Sequence, residues 1–383
     1  MHDTNDTSSY TLGSQLSVDM DISQLSELAV RGLVRMFDAQ KQLFCFTLKP
    51  GRSGLMIPEG TSRRYTIMSL LGLQRREAMG RPSPVEIQPV LEGLLRETTW
   101  IDNVGDLGLV LWLCALSVPD QVGEICGRLD LPSAFKRFPT DHTMELAWFL
   151  SGVSHIALAS LPTEHPAVTE LSMKCYELLK ANQGSHGYFG HLRRNNSWSG
   201  MARGHIGSFA DQVYPIYAIS KFADAYKVPA ALEMANVCAD AICRAQGPLG
   251  QWWWHYDSTT GKVVERYPVY SVHQHGMAPM ALLAIGKAAR KELTSAIYKG
   301  LGWISGRNEL GRSLRDSSSN VIWRSIDPAW YRCRLSVAKS LLGQEDNFEP
   351  RGNVKMNFEC RPYELGWLLY AFAGSAPARA GGS

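Results

Sequence analysis

The side chains able to do chemistry crowd into a few segments of this chain. One runs through His186, Tyr188, His191, Trp198, Arg203 and His205 to Asp211-Gln212. A second holds Trp252-Trp253-Trp254-His255-Tyr256, then Arg266-Tyr267, Tyr270 and His273-Gln274-His275. A third gives Trp323-Arg324 and then Trp330-Tyr331-Arg332, and Arg63-Arg64-Tyr65 and Asp141-His142-Thr143-Met144-Glu145 come earlier. Guanidinium forks grip carboxylates, imidazoles titrate near neutrality, and indole faces make platforms for rings. Together they suit a groove for an acidic sugar chain. Arg64, His186, Tyr188, His191, Trp198, Arg203, His205, Trp252, Trp254, His255, Arg266, Gln274, Trp323 and Arg324 are the expected substrate contacts. The Trp252–Trp254 run has an alternative reading as a plug at the end of a helical barrel, since alternate residues of an extended run point opposite ways.

Tyr267, Tyr270, His273 and His275 are the expected proton-transfer groups. Two imidazoles two residues apart share one side of a strand and diverge on a helix. They could ligate a metal, but no carboxylate or cysteine stands at ligand spacing, so acid–base work is preferred and no metal or cofactor is expected. Each His could equally be a hydrogen-bonded core residue. Asp141 and Glu145, four apart, share one face of a helix and, with Asp211, are the carboxyl candidates. Asp141 and Asp211 also have an alternative reading as helix N-caps. A P-loop, a dinucleotide glycine fingerprint and a Gly-x-Ser-x-Gly elbow are all missing from the sequence.

Something must hold these segments in place, and a repeat supplies the clue. Gln183-Gly-Ser-His-Gly187-Tyr-Phe returns as Gln246-Gly-Pro-Leu-Gly250-Gln-Trp and more faintly as Asn308-Glu-Leu-Gly311, with the last glycines 63 and then 61 residues apart. Each copy follows a helix-patterned stretch. Amphipathic stretches near 23–38, 84–98, 119–129, 166–182, 229–245 and 290–305 alternate with stretches apolar on most sides near 62–75, 104–117, 143–160, 210–226, 276–288 and 361–374. The first kind belongs at a surface and the second in a core. Six of each predict an all-α (α/α)6 toroid of six inner and six outer helices, with an open solenoid or two stacked helical domains as alternatives. Pro58, Pro139, Pro215, Pro279 and Pro362 fall near the expected inner starts, where proline is tolerated. The links 183–209, 246–275 and 307–360 are long and all run from outer to inner helix. They emerge on one face, beside the inner N-termini that favour anions.

Two branches of the α/α-toroid superfamily are similar to these residues. Gln246-x3-Gly250-x-Trp252 resembles the Gln–Trp repeat of squalene–hopene and oxidosqualene cyclases, and Asp141-His-Thr143-Met-Glu145 resembles the acid motif of the latter. That resemblance implies an isoprenoid cyclase with Asp141 as proton donor. The Arg266-Tyr267-Pro-Val-Tyr270-Ser-Val-His273-Gln274 segment resembles in texture the Tyr/His segment of glucuronyl C5-epimerases, within a group that includes polysaccharide lyases and unsaturated-uronyl hydrolases. This second resemblance implies proton transfer by Tyr267 or Tyr270 with Arg203 or Arg266 on a carboxylate. The favoured reading is an enzyme on a uronate-containing saccharide, acting as lyase, epimerase or hydrolase. A cyclase and a non-catalytic glycan-binding toroid are the alternatives.

The remaining bounds are broad. With 383 residues, 45% hydrophobic, 20% charged and net charge +3, the chain can bury a large core and offers no basic block for nucleic acid. Eight scattered cysteines lack zinc spacing and suit a reducing, cytoplasmic setting. No apolar run reaches membrane-spanning length, and the polar start has no signal-peptide pattern. Residues 1–22 are expected to be a flexible tail, 23–374 one toroid domain and 375–383 a second tail.

Overall fold

The computed structural model describes residues 8–160, 165–192, 203–329 and 353–374. The inner helices are α2 (Arg63–Glu77), α4 (Val104–Ser117), α7 (Thr143–Ala159), α9 (Ala210–Tyr226), α11 (Ala278–Ala289) and α13 (Pro362–Phe372). Each packs on the next, and α13 packs on α2, so the ring closes. Outside it lie α1 (Ser8–Met36), α3 (Ile87–Arg96), α5 (Val122–Leu129) with α6 (Leu131–Arg137), α8 (Pro166–Asn182), α10 (Pro229–Ala245) and α12 (Thr294–Ile304). This is the expected (α/α)6 toroid.

Local chemistry fixes the helix ends. The side chains of Ser62 and Asn103 accept from the amides of Tyr65 and Asp106, capping α2 and α4. Pro279 and Pro362 sit in the first turns of α11 and α13, whereas Pro215 lies inside α9 rather than at its start. Glycine lets the inner helices approach closely. A Cβ on Gly72 would lie 2.2 Å from the Gly366 carbonyl oxygen, and one on Gly152 would lie 2.3 Å from that of Gly108. The first contact is the seam between the first and last inner helices.

Three features differ from the sequence reading. Helix α1 starts at Ser8, inside the segment expected to be a tail; residues 375–383 lie outside the described residues. The third outer element does not end where expected: after α5, Asp130 turns left-handed (φ 43°) and Pro132 starts α6, a second short helix over residues where none was expected. The long links are not plain loops. They carry short strands, including the sheet of β1 (Ile206–Ser208), β2 (His255–Asp257) and β3 (Val263–Glu265), and the sheet β6 (Val354–Asn357), β5 (Ser325–Pro328), β4 (Val269–Tyr270), in those orders.

The repeat is a scaffold device. Gln183 donates through Nε2 to the carbonyls of Gly187 and Met234. Gln246 does the same to Gly250 and Ala296. Each glutamine therefore closes its own turn and ties it to the next outer helix. Gly187 (φ 89°) and Gly250 (φ 100°) take backbone angles that disfavour any side chain.

Candidate active site

The mouth at the inner N-termini holds a cavity of about 220 Å³. One wall comes from the first two turns of inner helices: Arg64, Tyr65 and Met68 of α2, Met144 and Trp148 of α7, Ala210 and Tyr214 of α9, and Tyr363 of α13. The other comes from the long links: Trp254, Tyr270, Val272, His273, Met277 and Arg324.

The link side is set by a sheet. Strand β4 places Tyr270 opposite Ser325 of β5, and the Ser271 amide donates to the Arg324 carbonyl at 2.8 Å. This register sets the Arg324 guanidinium 5.0 Å from the Tyr270 ring centroid. Fully buried Glu364 accepts from Arg324 Nη1 at 2.9 Å. The chain then passes into helical turns that set the His273 ring 5.3 Å from Tyr270 and stack it at 6.0 Å, 13° from parallel, on Trp254. Across the cavity Arg64 makes a two-pronged pair with buried Asp106, at 2.6 and 2.9 Å, and lies 5.7 Å from the Trp148 ring. Both guanidiniums thus have a carboxylate behind them in the wall, which fixes their orientation.

Burial shapes the titration of these groups. It pushes the Tyr270 phenol up against the opposing pull of Arg324, so Tyr270 holds its proton at neutral pH. It pulls His273 down to about 3, so the imidazole is neutral, and its Nδ1 has no hydrogen-bond partner among the described residues. A neutral phenol and a neutral imidazole in one cavity can give one proton and take another.

A second cluster adjoins the cavity at the α7 and α9 starts. His191 Nδ1 lies 3.0 Å from Asp211 Oδ2, which also accepts from the Ser208 amide and hydroxyl at 2.8 Å. Asp211 is fully buried, and its Oδ1 has no hydrogen-bond partner among the described residues. Asp141, His142 and Glu145 complete the group. Burial raises the Glu145 carboxyl, with His142 and Arg64 pulling the other way. Asp211 is not the N-cap its position suggested: that place is Phe209, with no side-chain cap, and Asp211 lies inside the first turn of α9, where it accepts from Ser208 just before the helix. The observed residue before α7 is His142, not Asp141, and no side-chain cap forms there. Neither carboxylate, nor Glu145, lines the cavity.

Of the expected site residues, then, Arg64, Trp254, Tyr270, His273 and Arg324 converge. Others lie elsewhere. The Tyr267 hydroxyl donates to Glu309 at 2.6 Å and does not line the cavity. His275 and Gln274 are fully buried, because the segment forms a π-turn (His273–Met277) before α11 and sends the two imidazoles different ways. Trp252 is buried, stacks on Phe209 and does not line the cavity, while Trp254 faces it. Tyr188 donates to the Ala241 carbonyl as part of the scaffold. Arg203 and His255 share buried Glu265, at 2.5 and 2.6 Å. Arg266 lies over Trp253, His205 faces Asp257 at 3.9 Å, and Trp323 packs on Phe358. His186 is exposed beside Gly261. Trp198, Trp330, Tyr331 and Arg332 lie outside the described residues.

Tyr65 belonged to a noted segment, but Met68, Trp148, Tyr214 and Tyr363 did not stand out in the sequence. The available signal is position: each lies in the first two turns of an inner helix. No group of three or more His, Cys, Asp or Glu among the described residues is arranged to hold a metal ion. No described helix is long and apolar enough to cross a membrane.

No protein-family model and no curated protein matches this chain. Solved structures do. Cellobiose 2-epimerase from Spirochaeta thermophila aligns with TM-score 0.62 at 11% identity, over 95% of this chain and 98% of the other. A possible member of the GH105 family from Salmonella enterica gives 0.59 at 12%, over 92% of each. Unsaturated glucuronyl hydrolase from Bacillus sp. GL1 gives 0.55 at 11%, over 92% and 95%. At such identities the likeness is one of fold. It spans nearly the whole chain and agrees with the closed double ring: the chain is an (α/α)6 toroid.

Proposed function

We propose that this protein is a carbohydrate-active enzyme that transfers protons on a uronate-bearing sugar held in the N-terminal mouth, as an epimerase or lyase does. The observation carrying this reading is the Tyr270–His273–Arg324 constellation: acid, base and carboxylate fork on one cavity wall. Arg324, with Arg64 opposite, would take the sugar carboxylate, and Trp148 and Trp254 would bracket the ring. Withdrawal of charge by Arg324 would acidify the C–H next to the carboxylate. His273 would accept that proton, and an anion drawn beside it raises its basicity. Tyr270 would return a proton on the opposite face or to a leaving oxygen. The cavity's 220 Å³ lies below the ~300–1,000 Å³ of drug-sized sites, which favours one terminal ring over a chain interior.

Hydrolysis is the second reading. It is favoured by Glu145, whose carboxyl burial raises, close to Asp141 and the His191–Asp211 pair. It is ranked lower because two facing carboxyls are needed, and among the described residues none lines the cavity. The fold neighbours include both an epimerase and a glucuronyl hydrolase, so they do not decide between the two. Asp141 off the cavity gives the isoprenoid-cyclase alternative no proton donor in place. The perturbed Tyr270, His273 and Glu145 favour catalysis over binding alone.

One panel separates the readings. Purified protein is incubated with saturated and unsaturated uronate-ended oligosaccharides in deuterated water. Deuterium entering an otherwise unchanged sugar marks an epimerase, a new unsaturated chromophore marks a lyase, and loss of that chromophore marks hydrolysis. The leading proposal expects either of the first two; turnover confined to the third makes the carboxyl cluster the site.

A further inference from the structure

The opposite mouth of the barrel, at the inner C-termini, holds a second cavity of about 320 Å³ that the proposed sugar chemistry does not use. Arg75, Lys221 and Lys287 line it, from α2, α9 and α11. Its floor is made of the fully buried Tyr217 and Tyr370, whose hydroxyls lie 2.5 Å apart, with His155 Nε2 2.8 Å from the Tyr217 hydroxyl. Arg75 lies 4.6 Å from the Tyr370 ring centroid and Lys221 lies 5.6 Å from that of Tyr217. Leu283, exposed, and Met280 add an apolar side.

Among the described residues none of these three cations is in an ion pair. Helix ends account for two of them, since Arg75 and Lys287 lie in last turns, where the helix dipole favours positive charge. Lys221 lies outside the last turn of α9 and has no such reason. It is half-buried; burial pulls its ammonium down, Asp224 pulls it up, and the like charges of Arg75 and Lys287 add smaller downward pulls. Three like charges share one concavity and repel one another across it, and an anion between them would relieve that repulsion.

We propose that this C-terminal mouth is an anion site that takes the phosphoryl or sulfuryl group of a small organic ligand, with Arg75, Lys221 and Lys287 on the oxygens and the Met280–Leu283 side against the ligand's carbon part. The inference is independent of the sugar chemistry at the other mouth.

Inorganic phosphate and sulfate are titrated into the full chain by calorimetry, against chloride at matched ionic strength. Saturable one-site binding is expected, about tenfold or more weaker in Lys221→Met. Lys287→Gln, an exposed position that cannot disturb the core, should weaken it too, and Arg64→Gln at the far mouth should not. Preference for phosphate or for sulfate names the group carried by the ligand. The proposal is overturned if binding is not saturable, if Lys287→Gln binds as wild type does, or if Arg64→Gln abolishes binding while the lysine variants retain it.

Discussion

Arg324 joins stability to recognition. Its fork pairs with fully buried Glu364 and lies over Tyr270, so charge alone is not enough at this position. Arg324→Lys keeps the charge and loses the planar fork; kcat/KM on a uronate-ended substrate is expected to fall about tenfold or more, chiefly through KM. Glu265 tests the electrostatics away from the cavity. Burial pushes its carboxyl up, but hydrogen bonds and charge from His255 and Arg203 win and hold it at about 2, from an ordinary 4.5. A carboxyl held down in the folded state stabilises the fold above the unfolded value, and the gain is lost as pH falls through the folded one. Here that gain is about 3 kcal/mol, lost between pH 4.5 and about 2. Urea midpoints measured across this window should fall steeply in the wild type and far less in Glu265→Gln. At this scale the sequence was half legible. Tyr270 and Arg324 stood out as polar side chains in long links. Trp148 did not, because a cavity tryptophan on an apolar inner helix reads the same as Trp112, which is fully buried in the barrel centre.

Most helix boundaries were legible, because an apolar face recurring every turn leaves a period in the sequence, but the start of α1 and the presence of α6 were not. The π-turn and the link strands were not. A two- to four-residue strand carries no period, and the π-turn decides that His273 and His275 part company. The Gln183 and Gln246 repeat was visible as a pattern, but its meaning was not: each Gln side chain is consumed in tying a turn to the next outer helix. The ring seam gives a sharp test of packing. Gly72→Ala sets a methyl 2.2 Å from a backbone oxygen of α13, and chemical unfolding should show a loss of about 1–3 kcal/mol or more. Gly93→Ala, on exposed α3 surface with nothing within 4 Å, should instead gain about 0.5–1 kcal/mol. If both variants behave alike, the closed seam is wrong.

Across the whole molecule, one architecture sets two mouths of different character. Outer-to-inner links bring aromatic and titratable side chains to the N-terminal mouth, while short inner-to-outer turns leave the other mouth to helix ends and their cations. Closure could be foreseen from six alternating pairs, but which link residues face inward could not, because it depends on how distant links pair as sheets. The two tyrosines of one segment carry that distinction: Tyr270 lines the cavity and Tyr267 is bound to Glu309 outside it. The decisive measurement is kcat/KM for Tyr270→Phe and Tyr267→Phe on the best substrate from the uronate panel. Tyr270→Phe should lose about a hundredfold or more, with Tyr267→Phe staying within a few-fold of wild type. Full activity in Tyr270→Phe, or a collapse confined to a folded Tyr267→Phe, would contradict chemistry in this cavity.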